Sequence, residues 1–171
     1  MKCRFAPFIV FATSLAASQT IVDRTYVMRA ETTTVDPYSG MSHMCVLIYP
    51  DGHYRLEKSF QSNNGGSPDE RVYLDTLPEA SMKQLQATLD DEKFQAVKTA
   101  EPKGGIVQDM DTLSVSVPRE HLLQNISFMN ARERKPFEKE LKSFQEWLKA
   151  LQKRKVPVAK NESANNCAAP G

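Results

Sequence analysis

Three histidines, a pair of aspartates flanking one residue and two distant cysteines are the residues with which this chain could do chemistry. His43, His53 and His121 are its only histidines. No two of them stand four residues apart and there is no His-Glu-x-x-His, so a zinc site borne on one helix is not encoded. Asp109 and Asp111 flank Met110. A hard cation can use such a pair, but calcium takes about six to eight oxygens and the EF-hand spacing is absent. Asp90-Asp91-Glu92 reads as a solvated break between helices. Glu57 and Glu120 are carboxylates whose separation a sequence does not set. Serine hydrolysis lacks its G-x-S-x-G elbow. The Gly-rich stretch 61–68 carries neither Gly-Lys-Ser/Thr nor G-x-G-x-x-G, which excludes a P-loop or dinucleotide fingerprint there. Asn125-Ile-Ser127 and Asn161-Glu-Ser163 match the glycosylation sequon, which matters only on a eukaryotic secretory route. The sequence therefore assigns no catalytic, cofactor-binding or metal-binding residue, and implies no cofactor.

The cysteines depend on what precedes them. Met1-Lys2-Cys3-Arg4 is basic, Phe5 to Ala12 is apolar apart from Pro7, and Thr13-Ser14-Leu15-Ala16-Ala17-Ser18 follows with small residues. That order is a secretory signal peptide, residues 1–18, with a cut after Ser18 or Ala16. The apolar run is shorter than the roughly 20 residues a spanning helix needs. Removing 18 of 171 residues leaves 153 and takes the basic count from 22 to 20 against 21 acidic residues. A near-neutral chain gives no electrostatic case for nucleic acid or an anionic membrane, and no stable membrane insertion is expected after cleavage. The cut also removes Cys3, which leaves Cys45 and Cys167. In an oxidising compartment these two can pair. The other reading is a buried free Cys45 with an incidental Cys167.

Any such residues must be positioned by the elements around them. Alternation near Ile21, Tyr26 and Met28 and the β-branched run Thr32 to Val35 predict a strand near 24–34. Asp36 to Gly40 is turn chemistry. Met44 to Ser59 predicts a hairpin about a two-residue Asp51-Gly52 turn, placing Tyr49 opposite Tyr54 and Leu47 opposite Leu56 on the apolar face. Val72-Tyr73-Leu74 predicts a short strand. Pro78 and Glu79 open a helix with Met82, Leu85 and Leu89 on one face, and Phe94 and Val97 add a further turn. Leu113, Val115 and Val117 alternate with polar residues. They are followed by a turn at Arg119-Glu120-His121 and a return strand with Leu122, Gln124, Ile126 and Phe128 on one face. The last helix carries Phe137, Leu141, Phe144, Leu148 and Leu151 at alternating spacings of four and three, widened by Trp147, until Pro157. Lys149, Lys153, Arg154 and Lys155 at its end suit the helix dipole.

The expected fold is α+β: a two-layer domain over residues 19–156. Its antiparallel sheet is built from two hairpins, with one strand in front, and packs against two helices. Residues 157–171 are a flexible tail unless Cys167 ties them down. The succession Cys45-Val-Leu-Ile-Tyr-Pro-Asp-Gly-His-Tyr-Arg-Leu-Glu57, Leu77-Pro-Glu79, Asp111-Thr-Leu-Ser-Val-Ser-Val-Pro-Arg-Glu120 and a Trp147-bearing helix resembles small exported bacterial proteins of unknown function, of a kind common in Acidobacteria. That resemblance implies a periplasmic or secreted address and a fold, not a chemistry. The expected function is non-enzymatic: an exported domain that binds an envelope or secreted protein or peptide, with strand addition at a sheet edge as one route. The alternative is a small extracytoplasmic enzyme or metal binder using His53, His121, Asp109 and Asp111.

Overall fold

A computed structural model describes residues 26–99, 110–165 and 167. Six strands form one antiparallel sheet: β1 (Met28–Asp36), β2 (Gly40–Ile48), β3 (His53–Ser62), β4 (Asp69–Thr76), β5 (Asp111–Pro118) and β6 (Leu123–Phe128). Their order across the sheet is β4-β3-β2-β1-β5-β6. Helices α1 (Glu79–Asp90) and α2 (Glu92–Gln95) stand between β4 and β5; α3 (Ala131–Arg134), a 3-10 turn and α4 (Glu138–Gln152) follow β6. The fold is α+β. Residues 1–18, expected to be a signal peptide, and Asp109 lie outside the described residues.

The sheet is larger than two hairpins. The first four strands form a continuous antiparallel meander, and β1 then pairs with β5 on its other side. The strand expected in front is therefore interior. Asp36 makes the β1–β2 turn: its Oδ1 accepts from the N–H groups of Tyr38 and Ser39 at 2.8 and 3.1 Å. Those two backbone bonds hold its carboxyl below the usual aspartate range. Gly40, at φ +135°, closes the turn where a Cβ would lie 2.0 Å from the Gln61 carbonyl oxygen. Gly40→Ala is therefore expected to cost about 1–3 kcal/mol from backbone strain alone, with the clash adding to it. A urea unfolding midpoint unchanged from the parent would contradict this.

The β2–β3 register differs by one residue from the expected one. Ile48 faces Tyr54 and Val46 faces Leu56, while Leu47 faces Arg55 and Cys45 faces Glu57. The cause is the turn. Tyr49 N–H donates to His53 O at 2.9 Å and Gly52 N–H to Tyr49 O at 3.0 Å. Pro50 thus takes the position where its fixed φ suits a turn, and Gly52 the left-handed one at φ +85°. The loop is one residue longer than Asp-Gly alone, and a one-residue slip exchanges the two faces. Tyr54 becomes core, whereas Tyr49 packs on the opposite face beside Cys45, Leu47 and Cys167.

The second hairpin follows its pattern, with Leu113 facing Phe128 and Val115 facing Ile126. Only Leu122 departs: it lies in the turn, exposed. The core forms where one sheet face meets the helices. Leu85 and Leu89 of α1, Phe94 of α2 and Leu141, Phe144, Leu148 and Leu151 of α4 pack with Met28, Ala30, Val46, Ile48, Tyr54, Leu56 and the β5–β6 residues. The Phe94 and Phe144 rings are 5.5 Å apart. Trp147 Nε1–H donates to Ser81 O at 3.1 Å, tying α4 to α1. Burial of each large apolar side chain here contributes about 1.5–3 kcal/mol.

Candidate functional site

Even-numbered residues of β1, β2 and β3 face the helices, but the helices cover only one end of the sheet. Pairing lays the other end out as a lattice. One row reads Thr32, Met44, Lys58, Arg71, and the next reads Thr34, Ser42, Phe60, Asp69. Strand and row spacings of about 5 and 7 Å separate these side chains. They floor an open cleft of about 610 Å³, walled on one side by Gln152 at the end of α4 and by Tyr73. That volume suits a ligand or a few residues of a peptide.

Its polar groups are partly engaged. Lys58 Nζ donates to Gln152 O at 3.0 Å and sits 5.4 Å from the centre of the Tyr73 ring. Gln152 Nε2 lies 2.8 Å from Met44 Sδ, so Met44 supports the helix end. Arg71 meets Asp69 with Nη2 and Nε at 2.7 and 3.4 Å from the carboxylate. The Asp69 bond and charge raise the Arg71 pKa further. Phe60 remains 40 % exposed, enough ring for a partner to cover.

The opposite face carries a different constellation. The segment after α4 wraps the β4 edge. Arg154 Nη2 donates to Asp75 at 2.8 Å, and Ala159 N–H donates to Val72 O at 2.8 Å. The chain then crosses to the outer face. Arg55 Nη1 and Nη2 donate to Glu162 Oε2 at 2.7 Å and Ser163 O at 2.6 Å. Glu57, 3 % exposed, receives Arg55 Nε at 2.6 Å and the N–H groups of Asn165 and Cys167 at 3.1 and 3.2 Å. Burial alone would lower the Arg55 pKa, but its bonds to Glu162 and Glu57 outweigh burial and raise it. Cys45 and Cys167 form a buried disulfide with Cα atoms 6.0 Å apart. Cys167 thus ties the tail down. Ligand atoms of Cys45, Glu57 and Cys167 lie within 4.8 Å of one another, but both sulfurs are spent on the bridge. The site is a clasp.

Of the alternative reading's residues, the three that are described, His53, His121 and Asp111, do not converge. His53 opens β3 directly after the β2–β3 turn, with Nδ1 2.9 Å from Asp51 Oδ2. His121 is exposed in the β5–β6 turn, at the same end of the sheet but across β1. Asp111 begins β5 at the far end, opposite Thr34, and is paired with Arg134. His43 lies on β2 at the cleft margin, opposite Thr33 and Ser59. Glu57 and Glu120 are separated as well: one is in the clasp, the other exposed in a turn. The cleft residues escaped the sequence reading although a signal was present. Thr32, Thr34, Ser42, Lys58 and Arg71 are polar at the strand positions that face inward.

The chain matches no family model and no curated protein. No helix among the described residues is long and apolar enough to cross a membrane.

Proposed function

We propose that this is an exported, non-enzymatic, two-layer α+β domain that binds an envelope or secreted protein or peptide in the open cleft. Residues 1–18 act as its signal, and the protein works in the periplasm or outside the cell, as in the exported bacterial proteins it resembles. The observation that carries this reading is the end of the sheet that the described helices leave open. Strand positions that should be apolar if helices covered them are hydroxyls, cations and an exposed aromatic instead. Departure from the local pattern without a structural return is where function is expected. The clasp supports the exported address, because a disulfide persists in oxidising compartments. It also favours the cleft over edge addition at β4, because Val72 O on that edge is already occupied by Ala159.

A photoreactive amino acid at Thr34, with a control at Ala87 on the exposed side of α1, tests this in the native exported fraction. The expected result is one defined adduct from Thr34, absent from Ala87. The same adducts from both positions, or none from Thr34, would overturn it.

A further inference from the structure

Lys58 and Arg71 are directly opposite each other on neighbouring strands and on the same face. Like charges at such a pair destabilise a sheet. Among the described residues lining this part of the cleft, only Asp69 brings a negative charge, and its two bonds go to Arg71. Lys58 has a carbonyl and a ring instead. Two cations therefore face one carboxylate, a site one negative charge short. Two residues along β3 from Lys58 stands Phe60, exposed and flanked across the strands by Ser42. An exposed Asp69–Arg71 pair is worth little in water, so Arg71 can exchange Asp69 for an incoming carboxylate at small cost.

We infer that the cleft takes an acidic, extended peptide segment. A Glu or Asp carboxylate lies between Lys58 and Arg71, and an apolar side chain two residues away rests on Phe60. The inference rests on the cleft being the binding surface and adds the chemistry of its occupant. The spacing matches because a strand advances about 6.6 Å over two residues, the same step that separates Lys58 from Phe60. Thr32, Thr34 and Ser42 offer hydroxyls to the peptide backbone. Two cations with one neutralised are too few for a polyanion such as nucleic acid, whose binding gathers many phosphate contacts.

The test uses the oxidised full chain and a labelled peptide, acetyl-Gly-Glu-Ser-Phe-Gly-amide, with its Glu→Gln counterpart, read by fluorescence anisotropy. The Glu peptide is expected to bind about tenfold more tightly than the Gln peptide, and K58Q and R71Q each to weaken it about fivefold to tenfold. K149Q, exposed on α4, should leave it unchanged. R71Q keeps the test meaningful even if loss of the Lys58–Gln152 contact loosens α4. Equal binding of the two peptides, no binding, or indifference to both substitutions would overturn the inference. So would full displacement by acetate at matched carboxylate, which would assign the site to small carboxylates. If the Thr34 adduct forms while the Glu peptide fails, the acidic occupant is refuted and the cleft reading stands; if both fail, the cleft reading falls too.

Discussion

Replacing Cys167 with Ser lowers the stability of this domain by about 4–5 kcal/mol. The bridge joins residues 122 apart, and closing a loop of that size restricts the unfolded chain by about that amount in the chain-entropy account. This is a large share of the roughly 5–15 kcal/mol that holds a domain folded. The loss has a local signature as well. Without the sulfur link, the tail depends on the Ala159–Val72, Arg55–Glu162 and Glu57 contacts. Amide exchange at Ala159 and Asn165 should rise while that of Val46 and Val115 in the core rises only through global unfolding. Urea unfolding of Cys167→Ser and of the parent with and without reductant measures this. A midpoint unchanged in Cys167→Ser, or a parent whose midpoint does not move on reduction, would show that the bridge does not hold the domain.

The second large effect is at Glu57. Glu57→Ala removes a carboxylate that is nearly fully buried and accepts from Arg55, Asn165 and Cys167. The Arg55 side chain, 11 % exposed, keeps Glu162 but loses its inner partner. Breaking a buried pair in this way costs about 3–5 kcal/mol, because one charge stays buried without compensation. Glu57→Gln keeps an acceptor for the two N–H groups and should cost less, about 1–2 kcal/mol. Since Glu57 holds the same residue that the disulfide anchors, its loss and that of Cys167 are coupled. The double variant should fall short of the sum of the single ones by about 0.5–3 kcal/mol. A loss under about 1 kcal/mol for Glu57→Ala would mean the clasp is held by sulfur alone.

Much of the fold was legible because local chemistry and tertiary structure agree in it. The α4 stripe from Leu141 to Leu151, the alternation of Leu113, Val115 and Val117, and the Asp36–Gly40 turn each point one way and fold that way. Where the reading slipped, two local signals competed. Asp51-Gly52 is a strong two-residue turn signal, but Pro50 beside it fits only a longer loop. That one residue decides which of Leu47 and Val46 enters the core. β1 was the faintest strand because Thr32, Thr33 and Thr34 give no alternation. It is nonetheless interior, since its backbone is paired on both sides while its polar side chains floor a cleft. The cleft was hidden for the same reason. Lys58 is ordinary in its own strand, and only the pairing of β3 with β4 sets it against Arg71. The clasp was half visible: the cysteine count pointed to the bridge, but nothing local ties Glu57 to residues more than a hundred positions away.

The proposed binding surface is the helix-facing end of the sheet that the described helices leave open. Hydroxyl-radical footprinting of the oxidised protein, free and with its cross-linked partner, separates this surface from the others, since both the cleft and its rivals carry reactive side chains. The expected result is protection of Phe60 and Tyr73, with Leu122, Leu123 and Met129 at the β6 end and Leu74 on the outer face as reactive as in the free protein. Protection of those residues with Phe60 unchanged would contradict it.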